Sequence, residues 1–108
     1  MNIELLVVPD CPHEKPAAEQ LRRTLDELGL RGVGFATRVI SDQGQAEEVG
    51  FAGSPTVLID GRDPFAESSN SVGLSCRMYR TVKGLSGLPD PGRLRQALAA
   101  ARTDRPGR

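Results

Sequence analysis

The stretch "IELLVV" (3–8) constrains this chain most, because a helical stripe and a second apolar stretch come so soon after it. It is short, apolar and half β-branched, the pattern of a strand covered on both faces. Beyond "PDCPHEKP", Ala17, Ala18, Leu21, Leu25 and Leu28 recur at helical spacing, with Arg22, Arg23, Asp26 and Glu27 on the wet side. Gly29 is placed to end that helix as its C′ residue. "VGFATRVI" (33–40) then sets Val33, Phe35 and Val39 on one face and Ala36 and Ile40 on the other, a second strand. A strand, a helix and a strand in such quick succession leave one topology: a parallel pair joined by a right-handed crossover.

Further along, Ser41 is expected to cap a short helix over 42–49, closed by Gly50, with Phe51 folding back. "PTVLID" (55–60) reads as a third strand stopped by the turn-forming Asp60 and Gly61. "CRMYRTV" (76–82) reads as a fourth, paired with the third as an antiparallel hairpin. Asp90 and Pro91 fit N-cap and N1 of a last helix whose Leu94, Ala97, Leu98 and Ala101 face inward. The order βαβαββα predicts an α/β fold, a central mixed four-stranded sheet flanked by helices. One domain is expected over 1–102, with a flexible tail at 103–108. Residues 62–75 form the longest irregular stretch, and loops of that length are commonly functional.

Charge and composition exclude some functions. The 14 basic and 14 acidic residues balance, which argues against nucleic acid or an anionic membrane as partner. Three Phe, one Tyr and no Trp leave little for stacking on bases. No apolar run approaches the roughly 20 residues of a membrane span. The opening "MNIELLVV" carries an acid where a secretory leader has basic residues, so a cytoplasmic protein is expected. Two cysteines, Cys11 and Cys76, are too few for a secreted disulfide framework and read as thiols.

Cys11 stands where the first strand meets the first helix, and "GSPT" (53–56) stands immediately before the third strand. That element order with those two features resembles the thioredoxin-like fold superfamily. The resemblance implies a reactive Cys11 facing a cis peptide bond at Pro55, with Ser54, Pro55, Thr56 and Pro12 contacting substrate. It also implies an extended substrate segment pairing with the Ser54 backbone as an added strand. "CPH" resembles the start of the C-P-H-C site of periplasmic disulfide oxidants, but Glu14 replaces the resolving cysteine. "GSPTVLIDGRDPF" with "GLSCRMYR" is similar to small bacterial thioredoxin-like proteins, some with selenocysteine at the position of Cys11 and some labelled alkylmercury lyase-like.

The chemistry depends on the position. A thiol at a helix N-terminus gains from unpaired backbone N–H groups and the helix dipole, and a protonated His13 would add to that. Asp10 and Glu14 oppose it, and Pro16 is expected to loosen the first turn. The expectation is a monothiol redox protein. Cys11, with His13 assisting, would exchange with a protein disulfide or low-molecular-weight thiol, or react with peroxide. An external thiol would then resolve the product. Two alternatives stay open: organomercurial cleavage by Cys11 with Cys76 and an acid such as Asp63 or Glu67, and a non-catalytic binding module. No cofactor is implied, and no Cys/His set completes a structural metal site. In an antiparallel hairpin, Cys76 would fall opposite Asp60, roughly 16 Å from the reactive end, too far for a disulfide. Arg62, Arg77 and Arg80 read as solvated edge charges, with an edge that holds an anionic substrate such as a low-molecular-weight thiol as the alternative.

Overall fold

The computed structural model describes residues 1–66 and 72–103. Its elements run β1 (Ile3–Val7), α1 (Glu14–Glu27), β2 (Ala36–Val39), α2 (Gln43–Val49), β3 (Thr56–Ile59), β4 (Tyr79–Thr81), β5 (Gly84–Ser86) and α3 (Pro91–Thr103). β1 is central in a three-stranded sheet of order β2-β1-β3, parallel to β2 and antiparallel to β3. The expected α/β character and the βαβ start are present.

The alternating faces of β1 and β3 divide the interior in two. Ile3, Leu5 and Val7 join Val57 and Ile59 under Leu21 and Leu25 of α1 and Leu94 and Leu98 of α3. Leu6 and Leu58 turn the other way, against Ile40, Ala46 and Phe51. Both faces of β3 are therefore buried, as its uniform run of apolar and β-branched residues requires. β2, by contrast, is an exposed edge strand along its whole length. The two helices on the first face are tied by the Arg95–Glu27 ion pair and by Arg102 donating to the Leu28 carbonyl.

Helix ends obey local chemistry. Gly29 at φ 76 and Gly50 at φ 68 take the left-handed conformation that closes α1 and α2. The cap of α2 is Asp42, not Ser41: its carboxylate accepts from the Gln45 amide at 2.8 Å. Asp90 caps α3 as expected, accepting from Arg93 N at 3.2 Å. Pro16 does not break α1, because the helix starts at Glu14 and Pro16 falls in the first turn, where amides have no intrahelical acceptor. Thr103, expected to begin a flexible tail, belongs to α3, and 104–108 lie outside the described residues.

Among the described residues the expected four-stranded sheet is not formed: there is a three-stranded sheet and a separate two-stranded one. Only Tyr79–Thr81 of the predicted fourth strand is extended, and it pairs with β5, residue Tyr79 against Ser86, rather than with β3. The edge of β3 meets other backbone instead. Past the turn at Asp60, Arg62 bridges back to Ile59, and further along Cys76 forms a parallel bridge to Ser54.

Candidate functional site

The register of β1 and β3 builds the site. Ile3 lies across from Ile59 and Leu6 across from Thr56, so continuing the antiparallel ladder sets Val8 across from Ser54. There the ladder bond is taken over by a side chain: the Val8 amide donates to Ser54 Oγ at 3.0 Å. The same hydroxyl donates to Cys11 Sγ, also at 3.0 Å. Asp10, at φ 58, turns the chain from the end of β1 toward α1 and delivers Cys11 beneath that hydroxyl. The Cys11 carbonyl accepts from the Glu14 amide at 3.2 Å. The cysteine is 8% exposed and belongs to the α1/α3 core. It lies just under the surface rather than on it.

Of its neighbours in sequence, Pro12 is exposed and Glu14 is half-buried. His13 is the N-cap of α1, with no side-chain capping bond, although its carbonyl accepts from Ala17 N at 2.9 Å. Its ring lies so close to Gly87 that a Cβ there would fall 2.6 Å from the imidazole. Nδ1 is buried with no hydrogen-bond partner among the described residues. The ring is thus held by packing, and no hydrogen bond joins it to Cys11.

The Ser54-Pro55 peptide is cis, as expected. Ser54, Pro55 and Thr56, expected to line a substrate surface, are buried instead, and their polar groups are engaged within the chain. Ser54 N donates to the Ser75 carbonyl and Ser54 O accepts from Arg77 N, each at 2.9 Å. Thr56 Oγ1 donates to the Gly53 carbonyl at 2.6 Å and accepts from Arg77 Nη1 at 3.1 Å. The Tyr79 hydroxyl donates to the Pro55 carbonyl. Residues 75–77 occupy the backbone position expected of a substrate strand. Gly53 makes that approach possible: it adopts φ 117, and a Cβ would sit 2.9 Å from Arg77 Cβ and 3.1 Å from the Ser75 carbonyl oxygen.

Two expectations fail at this rim. Cys76 is not opposite Asp60; it is paired across from Ser54, one strand spacing or about 4.8 Å away. The reason is topological: the chain after β3 returns to run parallel to residue 54 instead of turning back as a hairpin. Both cysteines are free thiols, Cys11 buried and Cys76 exposed. Nor is Arg77 a solvated edge charge, since it is 6% exposed. Its guanidinium pairs with Asp63 at 2.6 Å, donates to the Phe65 carbonyl at 2.9 Å and stacks 4.5 Å from the Tyr79 ring centre. Phe65 meets Tyr79 edge to face at 5.3 Å. Burial, partly offset by Arg77, pushes the Tyr79 phenol well above its ordinary acidity range. These residues, from "DPF" and "CRMYR", frame the site from behind. A sequence signal for them exists: an acid and an aromatic flanking one end of a loop, an Arg and an aromatic flanking its other end.

Asp63, the expected acid for carbon–mercury cleavage, is committed to Arg77, and Glu67 lies outside the described residues. No group of three or more His, Cys, Asp or Glu among the described residues could hold a metal ion. No described helix is long and apolar enough to cross a membrane. What the arrangement offers is one sulfur with a fixed hydroxyl donor and a second thiol across the adjoining strand. Compared with protein-family models, curated proteins and solved structures, the chain matches none.

Proposed function

We propose that the chain is a thioredoxin-like monothiol redox protein of the cytoplasm, in which Cys11 exchanges with a disulfide or oxidised small thiol and an external thiol cleaves the mixed disulfide. The observation that carries this reading is the 3.0 Å bond from the Ser54 hydroxyl to Cys11 Sγ at the start of a helix. A hydroxyl held at that distance can support negative charge on sulfur, which is the nucleophilic form, and the adjacent helix start contributes unpaired amides. Glu14 stands where a dithiol enzyme has its second cysteine, so the C-x-x-C cycle is closed to this chain.

The shallow burial of Cys11 and the occupied backbone of Ser54 favour a second reading, a binding module without turnover. Exposed Cys76 provides an internal standard that separates the two. The purified protein is treated with a small alkylating reagent and, separately, with oxidised glutathione, and each cysteine is followed by mass spectrometry. Modification of Cys11 on the timescale of Cys76, reversed by added thiol in the glutathione arm, is the expected result. Complete labelling of Cys76 with Cys11 untouched by either reagent would overturn the redox reading in favour of the binding module.

A further inference from the structure

The parallel bridge between Ser54 and Cys76 has no counterpart in a simple monothiol site. Residues 75–77 hold both backbone hydrogen bonds of Ser54, and Gly53 has the bare Cα that lets them come so close. Arg77, locked by Asp63 and Phe65, anchors one side of the bridge. Cys76, in between, is an exposed free thiol, and its bridge partner Ser54 is the residue whose hydroxyl donates to Cys11. The chain thereby carries its second cysteine on the segment that pairs with Ser54.

We infer that Cys76 takes the place of the external thiol as the group that resolves adducts formed on Cys11, an inference that rests on the redox reading of Cys11 and changes only its last step. In the first step the Cys11 thiolate attacks a disulfide R–S–S–R′, forming Cys11–S–S–R and expelling R′S⁻. In the second the Cys76 thiolate attacks the Cys11 sulfur of that adduct, forming Cys11–S–S–Cys76 and expelling RS⁻. Two electrons have then passed from the two thiols to the substrate disulfide. An external dithiol reductant restores the reduced protein and is itself oxidised to a disulfide. Closing the bond needs Cα atoms within about 7 Å, so it requires the Ser54 hydroxyl to swing aside and residues 75–76 to move toward Cys11. Between Gly73 and Met78 the chain forms no helix or strand beyond that bridge, so the movement gives up the Ser54–Ser75 bond while Arg77 keeps its ion pair.

The test uses the full chain, its Cys76→Ser variant and its Cys11→Ser variant, each reduced and then exposed to oxidised glutathione with free thiol held near 10 μM. Because an intramolecular thiol acts at a millimolar effective concentration, the glutathione adduct on Cys11 should last roughly a hundredfold longer in Cys76→Ser than in the wild type. The wild type should finish two hydrogens lighter, with Cys11 and Cys76 peptides linked and no glutathione retained. A wild-type adduct as long-lived as that of Cys76→Ser overturns the resolving role while leaving Cys11 a monothiol nucleophile. Failure of any adduct or internal disulfide to form on Cys11 overturns both that role and the redox reading beneath it. Thermal unfolding of each variant confirms that exposed Cys76 was replaced without loss of fold.

Discussion

The two walls that enclose Cys11 are built in different ways. On one side the start of α1 is held by packing: the His13 ring rests on Gly87, no side chain caps the helix, and Nδ1 has no partner among the described residues. On the other side nearly every polar group at residues 53–56 is hydrogen-bonded, and the network runs on through Arg77, Tyr79 and Asp63. Packing tolerates small rearrangement, whereas a buried ion pair and its bonds have one good geometry. The sulfur therefore faces a fixed rim across a more adaptable floor. The position of the reactive group relative to Ser54 is set from the rim side.

Substitutions on the two walls should differ accordingly. The largest effect is expected from Arg77→Met, which leaves Asp63, with a side chain only 10% exposed, as an unpaired buried carboxylate. A loss of about 3–5 kcal/mol in urea unfolding is expected, and pairing it with Asp63→Leu should recover most of that loss. If the single variant costs under about 1 kcal/mol, the rim is not the stiffer wall. Gly53→Ala comes next, at about 2–4 kcal/mol, since it combines a left-handed backbone with the clash against Arg77. It should also loosen the 75–77 segment, seen as faster hydrogen exchange at the Ser54 and Arg77 amides.

Tyr79→Phe should cost about 1 kcal/mol near neutral pH by removing the bond to the Pro55 carbonyl. Its pH signature is more telling. The folded phenol holds its proton above the unfolded value of about 10, so the unfolded chain releases that proton first. Wild-type stability is thus complete below pH about 10 and falls above it by up to about 1.4 kcal/mol per pH unit, a slope that the Phe variant should lack. The smallest change is expected on the other wall. His13→Leu removes a buried nitrogen that has no hydrogen bond to lose, and unfolding should shift by less than about 1 kcal/mol in either direction. A larger loss would show that the floor depends on the imidazole after all.

These walls also differ in how openly the sequence displays them. The floor is local: an apolar run, a turn, a cysteine and a helical stripe lie in continuous order, and the β1–α1–β2 unit is legible from spacing alone. The Ser-Pro signal ahead of β3 located the rim as well. Its buttress was hidden for a physical reason. Arg77 in sequence is a charge among exposed neighbours, and its burial depends on Asp63, Phe65 and Thr56, brought to it by the path of the intervening loop. The same path relocates Cys76. Alternation in "CRMYRTV" was genuine for Arg77 and Tyr79, which both turn inward, but it did not say which strand edge they would meet. Pairing partners of an isolated extended segment are set by tertiary packing, which periodicity does not encode.

The antiparallel register of β1 and β3 determines where length variation is tolerable. Adding a residue at Arg31 or Gly32, in the exposed turn between α1 and β2, would displace nothing near the sulfur. One added between Thr56 and Ile59 would slide Ser54 off Val8 and turn Val57 and Ile59 toward the wrong layer, breaking alignment and interior together. Designers grafting new loops onto this scaffold should leave both ladder strands at their present lengths.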